Sequence, residues 1–190
     1  NLLVFVEGET EEQALPIFFK KHFGCESIEK GVDFVAVLSH TSYLPFLRFS
    51  EGMNIPWMIY SDAEEDAKRS VQTALRKIDK ESEISDRVIF LEDGNDFERE
   101  ILSNGYDEEV RNAIAFFDEY KNEHHRQAKE SQRLKDIKGF SLEELYKQIT
   151  SEKTRYGPAV ANQIVNSQKQ LPTKVVALME KIEHILVQRR

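Results

Sequence analysis

Leu2-Leu3-Val4-Phe5-Val6-Glu7-Gly8-Glu9-Thr10-Glu11-Glu12-Gln13-Ala14-Leu15 is the stretch whose reading decides the fold. Five apolar residues in a row, three of them β-branched or aromatic, predict a strand buried on both faces, and helical signals begin only after Gly8. The polar turn then sits at the carboxyl end of a central strand, with Glu7 as the strand's last residue and Glu11 in the first turn of the next helix. Thr10 is placed to cap that helix by accepting from the Gln13 amide while Gln13 reaches back, the reciprocal arrangement of a capping box. In open α/β sheets ligands bind outside the carboxyl ends of the strands, so two carboxylates held there by rigid elements suit a divalent cation. Offsetting the positive end of the helix dipole is the simpler account of Glu7 and Glu11 when the pair is taken alone.

Working outward, 190 residues are enough for one well-buried domain of ordinary size. A hydrophobic content of 40%, a charged content of 32% and a net charge of −8 describe a globular protein of cytoplasmic character. There is no 18-residue apolar run to cross a membrane, and no positive region followed by a long apolar one to act as a signal peptide. The single Cys25 excludes an internal disulfide and a thiolate metal cage. Asn1 opens the chain directly in a strand without an initiator Met, which suggests a piece excised from a longer protein.

Helix one is predicted over Glu11 to His22, with Pro16 tolerated only near its first turn or with a kink. Val32 to Leu38 forms the second strand, Ser42 to Glu51 a short helix, and Ile55 to Tyr60 a third strand that runs into Ser61-Asp62-Ala63-Glu64-Glu65-Asp66. A helix over Ala67 to Lys80 follows, carrying Val71, Leu75 and Ile78 at spacings of four and three, and Val88 to Leu91 forms the fourth strand. That strand also ends in acid, at Glu92-Asp93-Gly94-Asn95-Asp96-Phe97-Glu98, where Asn95 or Asp96 caps a short helix. Strands alternating with helices predict a mainly parallel sheet flanked by helices, and right-handed crossovers bring the strand ends to one edge. Three acidic clusters at strand carboxyl ends converge there, and together they point to a metal site.

Beyond Asp107 the strand signal stops. Val110, Ile114, Phe117 and Tyr120 fall near helical spacing and Asn122 to Lys135 is almost wholly polar, so a helical insert over about 107–138 is expected to protrude. The adjacent His124 and His125 point about 100° apart on a helix and cannot share a metal. His22, His40 and His184 have no evident partners in the sequence. Ser141 to Ile149, Pro158 to Val165 and Thr173 to Val187 are predicted as three further helices with apolar faces.

Taken together, Leu3-Val4-Phe5-Val6-Glu7-Gly8-Glu9-Thr10-Glu11, the Asp62-Ala63-Glu64 form of a D-x-D, Asn95-Asp96-Phe97-Glu98 and Gly157-Pro158-Ala159-Val160-Ala161 resemble a Toprim domain. More narrowly, they resemble the Toprim nuclease domain of the overcoming-lysogenisation-defect (OLD) family. The resemblance covers most of the chain apart from the insert. It implies a Toprim-like α/β fold, metal-dependent cleavage of DNA, and an ABC-type ATPase region earlier in the same polypeptide. No Walker A pattern lies within these residues, so that ATPase and any homo-oligomer formed through it belong to the missing region. Carried over by position, Glu7 matches the characteristic Toprim glutamate and Glu11 the additional OLD-type acid. Asp62 matches the first acid of the D-x-D, while Glu64 stands where Asp is commoner. Asp96 and Glu98 match the later acids, with Glu92 or Asp93 in another register. The family's lysine before its Gly-Pro-Ala-like segment is Lys153 or Arg155, of which Lys153 is the choice.

Phosphodiester hydrolysis by two divalent ions about 3.5–4 Å apart needs carboxylates to hold both. On this reading Glu7, Glu11, Asp62, Glu64, Asp96 and Glu98 hold Mg²⁺ or Mn²⁺, with Ca²⁺ as a further candidate, and Lys153 stabilises transition-state charge. A net charge of −8 is unusual for a DNA binder, and Lys153, Arg155, Lys169, Lys174, Arg189 and Arg190 are the groups available for a local basic patch. Two other classes remain open. One is a receiver-like domain in which Asp62 accepts a phosphoryl group, and the other is a non-catalytic module whose long polar helix binds a partner.

Overall fold

The computed structural model describes residues 1–92, 94–116 and 123–188, with no side-chain placement for 123–126 and 128. The opening apolar run forms strand β1 (Leu2–Val6), which sits inside a parallel sheet with β2 (Val32–Ala36), β3 (Trp57–Ser61) and β4 (Val88–Phe90) in the order β2-β1-β3-β4. Val4 is in register with Phe34 on one side and Met58 on the other, and Tyr60 with Ile89. The chain moves from β1 outward to β2, then crosses back over β1 to reach β3. With right-handed crossovers, that reversal puts α1 (Glu9–Phe23) on one face and both α2 (Tyr43–Gly52) and α3 (Glu65–Arg76) on the other. The point of reversal lies between β1 and β3, where a parallel sheet opens a crevice at the strands' carboxyl ends.

Both faces are buried, as the continuous apolar runs require. Leu2, Val4, Val6, Met58, Tyr60 and Ile89 pack with Leu15, Phe18 and Phe19 of α1. Phe5, Trp57, Ile59 and Val88 point the other way, against Leu47 of α2 and Val71 and Leu75 of α3. The α1 face is thickened by later helices: α5 (Phe97–Ser103), α6 (Asp107–Ala115), α8 (Leu142–Ser151), α9 (Lys153–Asn166) and α10 (Thr173–Val187). The single turn α4 (Ile84–Arg87) leads into β4, and α7 (Glu123–Ile137) follows α6.

Several expectations shift. The helix after β1 begins at Glu9 with Gly8 as its N-cap, so Thr10 lies inside it, buried, and makes no capping box. Glu7 falls just past the strand end. Pro16 is accommodated in the middle of α1, where burial of Ala14, Leu15, Phe18 and Phe19 outweighs a lost backbone bond. The expected protrusion of 107–138 fails for its first half: Val110, Ala113, Ile114 and Ala115 of α6 are in the core. Arg111 also donates to the Phe140 carbonyl at 2.7 Å, tying α6 to the end of α7. Phe117, Tyr120 and Asn122 lie outside the described residues.

A shifted helix start near the C-terminus bears on the site. The helix predicted to start at Pro158 starts at Lys153, so Gly157 and Pro158 lie in its second turn. There α9 crosses α1 so closely that a Cβ on Gly157 would stand 2.6 Å from Cγ2 of Thr10. Only glycine permits that approach. Among the described residues no helix is long and apolar enough to cross a membrane.

Gly157→Ala tests this crossing. Overpacking against Thr10 is expected to outweigh the roughly 1 kcal/mol that Ala gains in a helix interior, for a net loss of about 1–2 kcal/mol and a fall of several degrees in Tm. Adding Thr10→Ser, which removes Cγ2, should recover most of it. A single variant that melts above the parent disproves the close-contact account.

Candidate functional site

The crevice between β1 and β3 receives side chains from five places. Glu7 follows β1 directly, Glu11 lies in the first turn of α1, and Asp62 follows β3 with Glu64 as the N-cap residue of α3. From the other side come Asp96, the N-cap residue of α5, Glu98 in its first turn, and Lys153, the first residue of α9. The acidic loops after β3 and β4 are joined by the Ala63 amide, which donates to the Asn95 carbonyl at 3.1 Å.

Electrostatics show how tightly these groups are gathered. Burial pushes the Asp62 carboxyl up to about 9, with Glu11, Glu7, Asp96 and Glu98 adding like charge. Burial likewise raises Glu11 to about 8, with Glu98 and Glu7 as neighbours that add to the effect. Glu7 and Glu98 are also raised above the usual carboxylate range, chiefly by burial, against the opposing pull of His40 on Glu7 and of Lys153 on Glu98. Glu64 is exposed, and its charge also raises Glu7.

Lys153 is the cation inside this arrangement. Its Nζ donates to Glu98 Oε2 at 3.1 Å and lies 3.8 Å from Asp96 Oδ2. Burial works against its charge, but Glu98 and Asp96 outweigh that and hold the ammonium above its ordinary value. Arg155 points elsewhere, its guanidinium donating to Glu152 Oε2 at 2.8 Å. Of the two caps the sequence allows, Asn95 and Asp96, it is Asp96 that caps α5. Its Oδ1 accepts from the Arg99 amide at 2.9 Å and its Oδ2 from the Tyr146 hydroxyl at 2.7 Å. Glu92 is exposed, and its amide donates to buried Glu100, which also holds Asn95 through Nδ2 at 3.0 Å. Asp93, Arg189 and Arg190 lie outside the described residues, as do the side chains of His124 and His125.

Three participants were not foreseen. His40, for which the sequence suggests no partner, has Nδ1 3.5 Å from Glu7 Oε1. Tyr146 and Glu100 hold the α5 loop although nothing in the sequence links them to it, since Tyr146 reaches Asp96 across 50 residues. Lys169, counted for a basic patch, instead donates to the Gly105 carbonyl and to Glu109 Oε2, at 2.7 and 2.8 Å.

The donor set suits a hard divalent cation. Glu7 Oε2, Asp62 Oδ1 and Glu98 Oε1 are buried carboxylate oxygens with no hydrogen-bond partner. A buried carboxylate oxygen without a donor is costly, and a divalent ion is the partner that satisfies several at once. Among the described residues no three His, Cys, Asp or Glu side chains form a closed ligand set as they stand. The fit lies in the hard oxygen donors and their unmet demand.

Residues 1–63 match the family model described as "Overcoming lysogenization defect protein-like, TOPRIM domain". The fold is a Toprim-like α/β fold. The chain resembles the C-terminal region of the Burkholderia pseudomallei OLD protein with a TM-score of 0.66 and 19% identity, over 97% of this chain and 98% of that one. It resembles the C-terminal region of the Xanthomonas campestris pv. campestris OLD protein with a TM-score of 0.68 and 20% identity, over 99% and 97%. No curated protein matches its sequence.

The raised carboxyls carry a pH signature. Between about pH 4, where an unfolded carboxylate ionises, and the values near 8 and 9 of Glu11 and Asp62, the folded chain holds protons that the unfolded chain has released. Stability of the metal-free chain should therefore fall as pH rises through that window. Asp62→Asn should flatten the fall and raise Tm at pH 8 by about 2–4 °C for each kcal/mol relieved. Thermal melts in EDTA from pH 5 to 9 decide it, and a parent Tm that rises with pH across this range counts against the buried acid cluster.

Proposed function

We propose that this chain is a divalent-metal-dependent nuclease that hydrolyses phosphodiester bonds of DNA. The observation that carries the reading is the trio of buried, unpartnered carboxylate oxygens on Glu7, Asp62 and Glu98, set around a crevice that also contains Lys153. Glu7, Glu11, Asp62 and Glu98 are the residues to hold Mg²⁺ or Mn²⁺, with Glu64 at the exposed rim and Ca²⁺ as a weaker substitute. When bound, such ions supply an activated water and charge stabilisation at the leaving oxygen.

The remaining steps belong to the chain. Burial favours the protonated forms of Asp62 and Glu11, and a divalent ion held by them would favour their carboxylates. Lys153, oriented by Glu98, presents an ammonium to the phosphate, where it offsets the negative charge that grows in the transition state. Asp96 is a positioning residue, because both its oxygens already accept hydrogen bonds, and it stands between Tyr146 and Lys153. An ATPase region earlier in the same polypeptide is part of the proposal, in keeping with neighbours described as C-terminal regions of OLD proteins.

Supercoiled plasmid incubated with the chain and Mg²⁺, Mn²⁺ or Ca²⁺ tests the activity. Glu7→Ala and Asp62→Ala should abolish nicking while leaving the metal-free Tm unchanged or higher, and the stabilisation given by added metal should shrink. Lys153→Ala should lower the rate by about 10²-fold or more yet keep most of the metal-induced Tm increment. Arg155→Ala should cut at the parental rate. Intact plasmid with every ion would leave the non-catalytic module as the better reading.

A further inference from the structure

The crevice does not end at the acid cluster. His40, which contacts Glu7, also lines the mouth of an open groove walled by the turn at His40–Ser42 and α2 on one side and by α3 on the other. Along α3 the lining residues Arg69, Ser70, Thr73 and Lys77 recur at spacings of one, three and four, which puts them on one face. That face is opposite in character to the one carrying Ala67, Val71, Ala74 and Leu75 into the core. Thr41 adds a hydroxyl from the facing wall.

In a chain of net charge −8 this surface is unusually poor in acid. Its one carboxylate, Asp66, is already paired with Arg69 at 2.5 Å. What remains is a row of hydroxyl and N–H donors ending in Lys77, which has no carboxylate partner among the described residues. Donors of these types make the backbone contacts in nucleic-acid complexes. From Asp66 to Lys77 the helix rises about 16 Å, roughly the span of four or five nucleotides of one strand.

We propose that this groove carries the phosphates of the substrate strand away from the metal crevice, so that α3 positions the nucleic acid while the acid cluster acts on it. The inference rests on the nuclease reading of the crevice, but it concerns binding and is tested separately. His40 marks the junction between the two surfaces. Contacts of this kind fix the position of the backbone without reading sequence, so the groove selects for the phosphodiester chain and not for particular bases.

The test is fluorescence anisotropy of a labelled 20-nucleotide strand titrated with the 190-residue chain in EDTA, where nothing is cut, at several salt concentrations. Lys77→Glu should weaken binding by about tenfold and reduce the magnitude of the log–log salt slope by about 0.7–0.9 for each phosphate no longer neutralised. Thr73→Lys, a gain-of-charge change at an exposed position, should tighten binding severalfold, which a merely destabilised protein would not do. Lys21→Ala, exposed on α1 and away from the groove, should leave affinity unchanged. No binding by the parent, or parental affinity and slope in both groove variants, overturns the proposal. Metal-dependent cleavage that survives alongside parental binding in the groove variants rejects this inference alone. Groove-dependent binding without cleavage by any ion rejects the nuclease reading alone.

Discussion

The structure depends on a repulsion that the fold cannot relieve by itself. Four carboxylates from the carboxyl ends of β1 and β3 and the first turns of α1 and α5 are crowded into one crevice, and burial holds Asp62 and Glu11 far above their ordinary ionisation range. Water does not reach the unpartnered oxygens of Glu7, Asp62 and Glu98. The sheet and its helices must therefore be stable enough to hold this arrangement against its own charge. Trp57, Phe5, Phe18, Phe19 and Leu15, all almost fully buried, supply much of that stability. On the proposed reading, a bound divalent cation is what would offset the cost of that crowding.

Topology explains why the acids meet. Because one connection leaves β1 for β2 on one side and another leaves β3 for β4 on the other, the two adjacent central strands end side by side. Each of the two delivers an acid just past its last residue, so the meeting of Glu7 and Asp62 follows from the strand order. The later acids arrive differently. Asp96 and Glu98 are placed by the cap of α5, which is secured to the Asp62 loop through Ala63 and Asn95 and to α8 through Tyr146.

Much of this was legible in the sequence because strand and helix signals are local. The continuous apolar runs at β1 and β3 marked buried parallel strands, the acids after them marked the crevice, and Asp96 was recognisable as one of two candidate caps. What escaped was decided by contacts between distant segments. Thr10 read as a cap because Ser and Thr favour that position, yet packing against α9 drew it into the helix. Gly157-Pro158 read as a helix start by local preference, while the helix began at Lys153 because the tertiary crossing required a glycine within it. His40 appeared isolated since its partner Glu7 lies 33 positions earlier, just past the end of β1. The polar stretch after Asp107 suggested protrusion, but the four buried apolar residues of α6 were enough to hold that helix in the core.

The crossing of α9 on α1 also acts as a gauge. Lys153 lies one helical turn, about 6 Å along the axis, ahead of Gly157, and Glu11 is the neighbour of Thr10 on the other helix. The two helices touch through a hydrogen atom where any other residue would insert carbon. The separation of ammonium and carboxylate is thus set by the thickness of a glycine. Variation elsewhere in α9 can alter its surface freely, but a larger side chain at this one position would move the ammonium and the acids apart together, with no residue of the crevice itself having changed.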